Sequence, residues 1–218
     1  MDALDIQHLL LRAPGILIGL TIHEYAHGLV ALWRGDPTAK QEGRLTLNPI
    51  AHLDPIGAIM ILFFPFGWAK PVPVNYHNLD NPKRDMIFVS LAGPVSNILC
   101  AGVISLLLRF WNPSFLEFST GSYLFQILQI AFIINIGLSF FNLIPIPPLD
   151  GSHILMGLLP SSKIPGYLNA MRYVPVVFLG AIFLEGMLKI PTISLVLNPF
   201  FRPYLAFWAF IFTGGKAF

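Results

Sequence analysis

The chain is poor in charge: Asp, Glu, Lys and Arg make up 11% of its 218 residues, against about 25% in a typical soluble domain. That deficit excludes a surface solvated on all sides. With 55% hydrophobic residues and a mean hydropathy of +0.69, the chain belongs in a lipid bilayer. It has one cysteine, Cys100, in an apolar run, which excludes an internal disulfide and reads as a small buried hydrophobe. Its net charge of +2 comes from dispersed basic residues, so there is no patch for nucleic acid. No internal repeat is visible. Before the first apolar run stand Asp2 and Asp5 but no basic n-region of a secretory signal, so that run is expected to stay in the mature protein. The length suits a single membrane domain over residues 1–218, with no room for a second globular module.

Apolar runs at 9–33, 86–110, 123–141, 173–189 and 199–213 predict about five spans and an all-α, polytopic transmembrane helix bundle. Residues 43–48, in the polar connection after the first span, alternate polar and apolar, which predicts a short strand in a small hairpin. Residues 55–66 are apolar but too few to span, and are expected to be re-entrant or interfacial. Pro71 and Pro73 forbid a helix over 68–75 and predict an extended chain. Arg34, Lys40, Arg44, Lys70, Lys83 and Arg84 all fall in one connection, which the positive-inside rule makes cytoplasmic; Lys163 and Arg172 in a later loop agree. Glu185 is expected to pair with Lys189 near a helix end.

Inside the first run lies His23-Glu24-Tyr25-Ala26-His27-Gly28, an H-E-x-x-H pattern in a helical context. Histidines at i and i+4 are about 40° apart around a helix, so both imidazoles can converge on one metal ion. Glu24 beside them is placed to take a proton from a water the metal activates. Five residues alone are a weak signal. Three ionisable groups at bilayer depth are a stronger one, because each costs about 2.5–3.5 kcal/mol unless paired, hydrated or metal-bound. The competing reading is a polar packing seam between helices.

Two histidines need a third protein ligand, with a fourth position left open for water. Asp150 is the best candidate, in Asn142-Leu143-Ile144-Pro145-Ile146-Pro147-Pro148-Leu149-Asp150-Gly151. Three prolines stop a helix there, so the backbone is irregular and must line protein or a wet cavity. Both histidines lie toward the cytoplasmic end of the first span and Asp150 just beyond the cytoplasmic end of the third. The distance from His27 to Arg34, about 10 Å along a helix, predicts a shallow site. Asp150 has a competing reading as the N-cap of a short helix over 151–159. His153 is a rival ligand and His52 a weaker one, while His8 and His77 read as solvated. Pro94 should kink the second span, and Asn97, one turn on, reads on its own as interhelical glue, as does Asn135. Gly15, Gly19, His23 and His27 form a four-residue stripe that lets a neighbouring helix approach closely.

Together these residues resemble the site-2 protease family of intramembrane zinc metalloproteases, in particular its small prokaryotic members lacking PDZ and CBS domains. The resemblance rests on His23-Glu24-Tyr25-Ala26-His27-Gly28, on Gly93-Pro94 followed by Asn97, and on Asn142-Leu143-Ile144-Pro145 leading to Pro148-Leu149-Asp150-Gly151; Asn48-Pro49 and His52-Leu53-Asp54-Pro55 also fit. It covers a core of about 9–160 and leaves the C-terminal helices, about 170–213, outside it. It implies one Zn2+ per chain held by His23, His27 and Asp150, with Glu24 as general base and Asn97 near the reacting carbonyl or the substrate backbone. It further implies that the partners are transmembrane segments of protein substrates in the cell (plasma or inner) membrane, cut toward the cytoplasmic side. The chain departs from many relatives in having no full apolar span before the H-E-x-x-H helix. A helical substrate must unwind before its carbonyls can be reached, and 68–75 is the candidate clamp, as an edge strand beside it, with a plain structural loop as the competing reading of equal weight. Two rival functions remain: a metal-ion transporter, which requires acidic or histidine residues at several depths, and an inactive metal-binding scaffold, against which the retained Glu24 argues.

Overall fold

The computed structural model describes residues 3–63, 67–111, 123–188 and 190–213. Through them run α1 (Ala3–Trp33), α2 (Thr38–Gln41), α3 (Pro55–Phe63), α4 (Pro82–Trp111), α5 (Tyr123–Asn142), α6 (Asp150–Leu158), α7 (Ile164–Ala170), α8 (Val174–Leu188) and α9 (Ile193–Thr213). Five segments are long and apolar enough to cross a membrane: Leu9–Trp33, Pro82–Phe110, Tyr123–Asn142, Ser161–Leu188 and Ile193–Phe212. The molecule is a polytopic helical bundle, and each expected apolar run overlaps one of these segments.

The last span starts earlier than the sequence implied, because a distant carboxylate caps it. Glu185 Oε2 accepts the backbone N–H groups of Thr192 at 3.1 Å, Ile193 at 2.7 Å and Ser194 at 2.9 Å. These are donors that the first turn of a helix cannot satisfy itself. So capped, α9 runs through Pro199 and Pro203. Lys189, the partner expected for Glu185, lies outside the described residues, as do 64–66 at the end of the short apolar segment expected to be re-entrant or interfacial.

Helices α1, α4 and α5 pack against one another and α6 packs on α4, whereas α8 lies against α9. The small-residue stripe of α1 faces α5: a Cβ on Gly15 would stand 2.8 Å from the Ala131 Cα, and one on Gly19 2.7 Å from Leu138 Cδ1. Ala101, Ile104 and Leu108 of α4 meet Phe125, Ala131, Phe132 and Ile136 of α5 and Ala209 of α9 in the main apolar cluster.

The expected hairpin does not form. Among the described residues there is no strand, and one isolated antiparallel bridge joins Leu53 to Ala69. Thr46 Oγ1 accepts the Asn48 N–H at 3.2 Å, and Asn48 Oδ1 accepts the Ile50 N–H at 3.1 Å, opening a 3-10 turn over Pro49–His52. Such local side-chain bonds compete with a ladder. His52 is buried inside this loop with its Nε2 2.8 Å from the Thr46 carbonyl, which makes it a loop residue rather than a ligand.

Candidate metal centre

Helix α1 brings His23 and His27 onto one face, one turn apart, with ring centroids 4.6 Å from each other. Each imidazole is fixed through its Nδ1. His27 Nδ1 donates to the Val89 carbonyl of α4 at 2.7 Å. His23 Nδ1 is 2.7 Å from Asn97 Oδ1, and the orientation of that amide follows from its other contacts. Asn97 Nδ2 lies 2.9 Å from the Gly19 carbonyl, which can only accept, and 3.0 Å from Asn135 Oδ1. The amide nitrogen therefore faces those two acceptors, its oxygen faces His23, and His23 Nδ1 carries the proton. Both Nε2 atoms are left to face the third group.

The third group arrives from α6. Asp150 is the first residue of that helix and Leu149 its N-cap, so the N-cap reading does not hold. Its Oδ2 lies 3.1 Å from His23 Nε2 and 3.3 Å from His27 Nε2. Two ring nitrogens and a carboxylate oxygen thus converge, and Asp150 Oδ2 is buried with no hydrogen-bond partner. A proton on one nitrogen would satisfy one of the two contacts; a divalent cation satisfies all three groups. Tetrahedral zinc with bonds of about 2.0–2.1 Å places its ligand atoms roughly 3.3 Å apart, which these separations match. Among the described residues His23, His27 and Asp150 are the group that offers this geometry, and Glu24 is not part of it. His153, the rival ligand, sits one turn along α6 and faces the Tyr76 hydroxyl, 3.2 Å from its Nδ1. Burial pushes the Tyr76 phenol up, and the charge of nearby Asp150 adds to that.

Helix α4 closes over the histidines at Gly93. A Cβ there would lie 2.5 Å from both His23 Nε2 and His27 Nε2. Replacing Gly93 with Ala is therefore expected to push both ligand atoms off position and weaken zinc binding by at least the roughly 10- to 100-fold seen on losing an outer-shell partner. Zinc content and circular dichroism of the purified variant check this: the metal should fall while helicity stays.

Three participants were not legible in the sequence. The Val89 carbonyl orients His27, and no side chain announces it. Asp36 is fully buried and gathers the Thr38 N–H and hydroxyl, the Asn78 amide and the Asn75 N–H. Burial pushes its carboxyl up, but these hydrogen bonds outweigh burial and hold it below the usual carboxylate range. Through Asn75, Asp36 ties down the end of the extended segment 68–75. The third participant is the Val72 N–H of that segment, which donates to Glu24 Oε2 at 2.8 Å. This amide is engaged by Glu24 and so is not free to pair with a strand.

Residues 116–182 match the model of a family described as Peptidase family M50. That stretch holds Asp150 but not His23, Glu24 or His27. The chain is 45% identical over 168 residues to "Putative zinc metalloprotease YwhC" of Bacillus subtilis, covering 75% of this chain and 76% of that protein. It is 39% identical over 137 residues to the similarly named MJ0611 of Methanocaldococcus jannaschii, covering 63% of this chain and 64% of that one. It is also 33% identical over 148 residues to the similarly named Rip2 of Mycolicibacterium smegmatis, of which it spans 54%. No solved structure matches the chain.

Proposed function

The chain belongs to peptidase family M50, and on that premise we propose that it is a zinc endopeptidase of the site-2 type, cutting peptide bonds in transmembrane segments of other membrane proteins. The observation that carries this reading is the convergence of His23 Nε2 and His27 Nε2 on Asp150 Oδ2 at 3.1 and 3.3 Å, beside a glutamate that stands outside their cluster. Those three residues would hold the zinc. When bound, it supplies Lewis acidity, bringing the pKa of a water toward about 7 and polarising a carbonyl.

The chain's own residues do the rest. Glu24 takes the proton of the attacking water on its carboxylate and returns it to the departing amide nitrogen. Asn97 acts through His23: with both amide hydrogens spent on Gly19 and Asn135 and its oxygen on His23, it is a positioning residue rather than a group at the reacting carbonyl. The basic connection between the first two spans supports a cytoplasmic placement of the loops at the site in the cell membrane. The substrate is a transmembrane helix that unwinds where it is cut, because an intact helix keeps its carbonyls in hydrogen bonds.

The test is reconstitution of the purified chain in liposomes with a single-span test protein. Cleavage within the spanning segment that stops on chelation and returns with zinc is the expected result. Zinc flux across the liposome wall with no peptide product would overturn it in favour of transport.

A further inference from the structure

We infer that the main-chain amide of Val72 is a positioning group for Glu24, holding one carboxylate oxygen so that the other is left for the water. The inference rests on the reading of Glu24 as the base and adds a part to it. Val72 is buried, and its N–H meets Glu24 Oε2 at 2.8 Å. Its side chain is seated against α1 at Gly28, where a Cβ would come within 3.2 Å of Val72 Cγ1. The flanks are fixed as well: Lys70 gives its N–H to the His52 carbonyl at 2.9 Å and takes Arg44 Nη2 on its carbonyl at 2.8 Å, and the Asn75 N–H goes to Asp36 at 2.7 Å.

The sequence makes this amide singular. Pro71 and Pro73 have no N–H, so Val72 carries the one backbone donor between Lys70 and Val74. The prolines also keep the chain extended, which fixes where that donor points. A glutamate adjacent in sequence to a zinc-ligating histidine has a competing use for its carboxylate, as a further ligand that would close the position left for water. An amide gripping Oε2 opposes that swing. The Pro71-Val72-Pro73 stretch thus sets the geometry of the base from outside α1.

Amide hydrogen exchange of the zinc-loaded full chain tests the contact without a substrate. Because neither proline exchanges, overlapping proteolytic fragments isolate Val72 between Lys70 and Val74. Its exchange should be slowed relative to Glu24→Ala by on the order of tenfold or more, as befits a bond to a charged acceptor; equal exchange in the two proteins overturns the inference. Turnover of the single-span test protein tests the role. Val72→Pro removes the N–H and should lower kcat on the order of 10²-fold, the scale of a misplaced catalytic group, with KM and zinc content unchanged. Val72→Ala keeps the N–H and should recover the lost turnover. A loop that merely pins the fold would instead move melting temperature, KM and zinc together, and that pattern, or wild-type kcat in Val72→Pro, overturns the proposal. If Val72→Pro does not fold, an amide-to-ester replacement at Val72 removes the same hydrogen with the side chain kept. Failure here with Glu24→Gln still inactive leaves the base reading standing; an active Glu24→Gln removes the base itself.

Discussion

Replacing Glu24 with Gln is expected to abolish cleavage while zinc stays bound. Gln keeps the length and planarity of the side chain and an oxygen able to accept the Val72 N–H, so the contact at 2.8 Å can survive the change. What it loses is the capacity to take a proton. Since one residue would serve both attack and departure, the loss should exceed the roughly 10² to 10⁴ usually credited to a single proton transfer. The metal should remain because Glu24 lies outside the cluster of His23, His27 and Asp150. Zinc content and cleavage measured on one preparation decide the matter. Activity surviving in Glu24→Gln would overturn the mechanism, and zinc loss would mean that the residue is a ligand. A transporter forecasts something else: altered metal flux in the variant and no peptide product even from the wild type. Its requirement for ligands strung through the bilayer also fares poorly, since Glu185, a carboxylate in the C-terminal spans, spends its Oε2 on the first turn of α9.

The parts of the site readable from sequence were those whose chemistry is local or costly. His23 and His27 announce themselves by helical spacing, and Asp150 by an acidic group in a proline-broken turn at the right end of a span. The competing capping role of Asp150 was equally local, and the helix start removes it, since Leu149 is the N-cap. Asn97 shows the limit of a single chain read alone. As an intramembrane amide it reads as glue, and it is glue, bridging α1 and α5. The same hydrogen bonds that make it so also turn its oxygen to His23, a partner 74 residues away. Backbone groups leave no trace at all: the Val89 carbonyl on His27 and the Val72 amide on Glu24 belong to residues whose side chains say nothing of hydrogen bonding. The hairpin failed for a different reason. Alternation over residues 43–48 was real, but Thr46 and Asn48 used their side chains on nearby backbone, a choice that periodicity does not see.

Asp150→Ala is expected to lose zinc, and so are His23→Ala and His27→Ala, by more than the roughly 10- to 100-fold that follows removal of an outer-shell partner. The aspartate case is the more telling, because His153 stands one turn away on the same helix and was a credible substitute by sequence. In the structure it is engaged with Tyr76 and lies outside the cluster, so His153→Ala should keep its metal where Asp150→Ala does not. The reverse result would reassign the third ligand. Thermal stability gives a second reading of the same event. Asp150 Oδ2 is a buried acceptor 3.1 and 3.3 Å from two ring nitrogens, and one cation satisfies all three groups at once. Binding to the native state alone adds RT ln(1 + [L]/Kd), about 4.1 kcal/mol at a thousandfold excess over Kd. Chelation should therefore lower the melting temperature of the wild type clearly, and should do little to Asp150→Ala, which has already lost both the metal and the unpaired oxygen. A melting temperature indifferent to chelator in the wild type, with zinc absent from the purified protein, would show that the three groups are held together by something other than a metal ion.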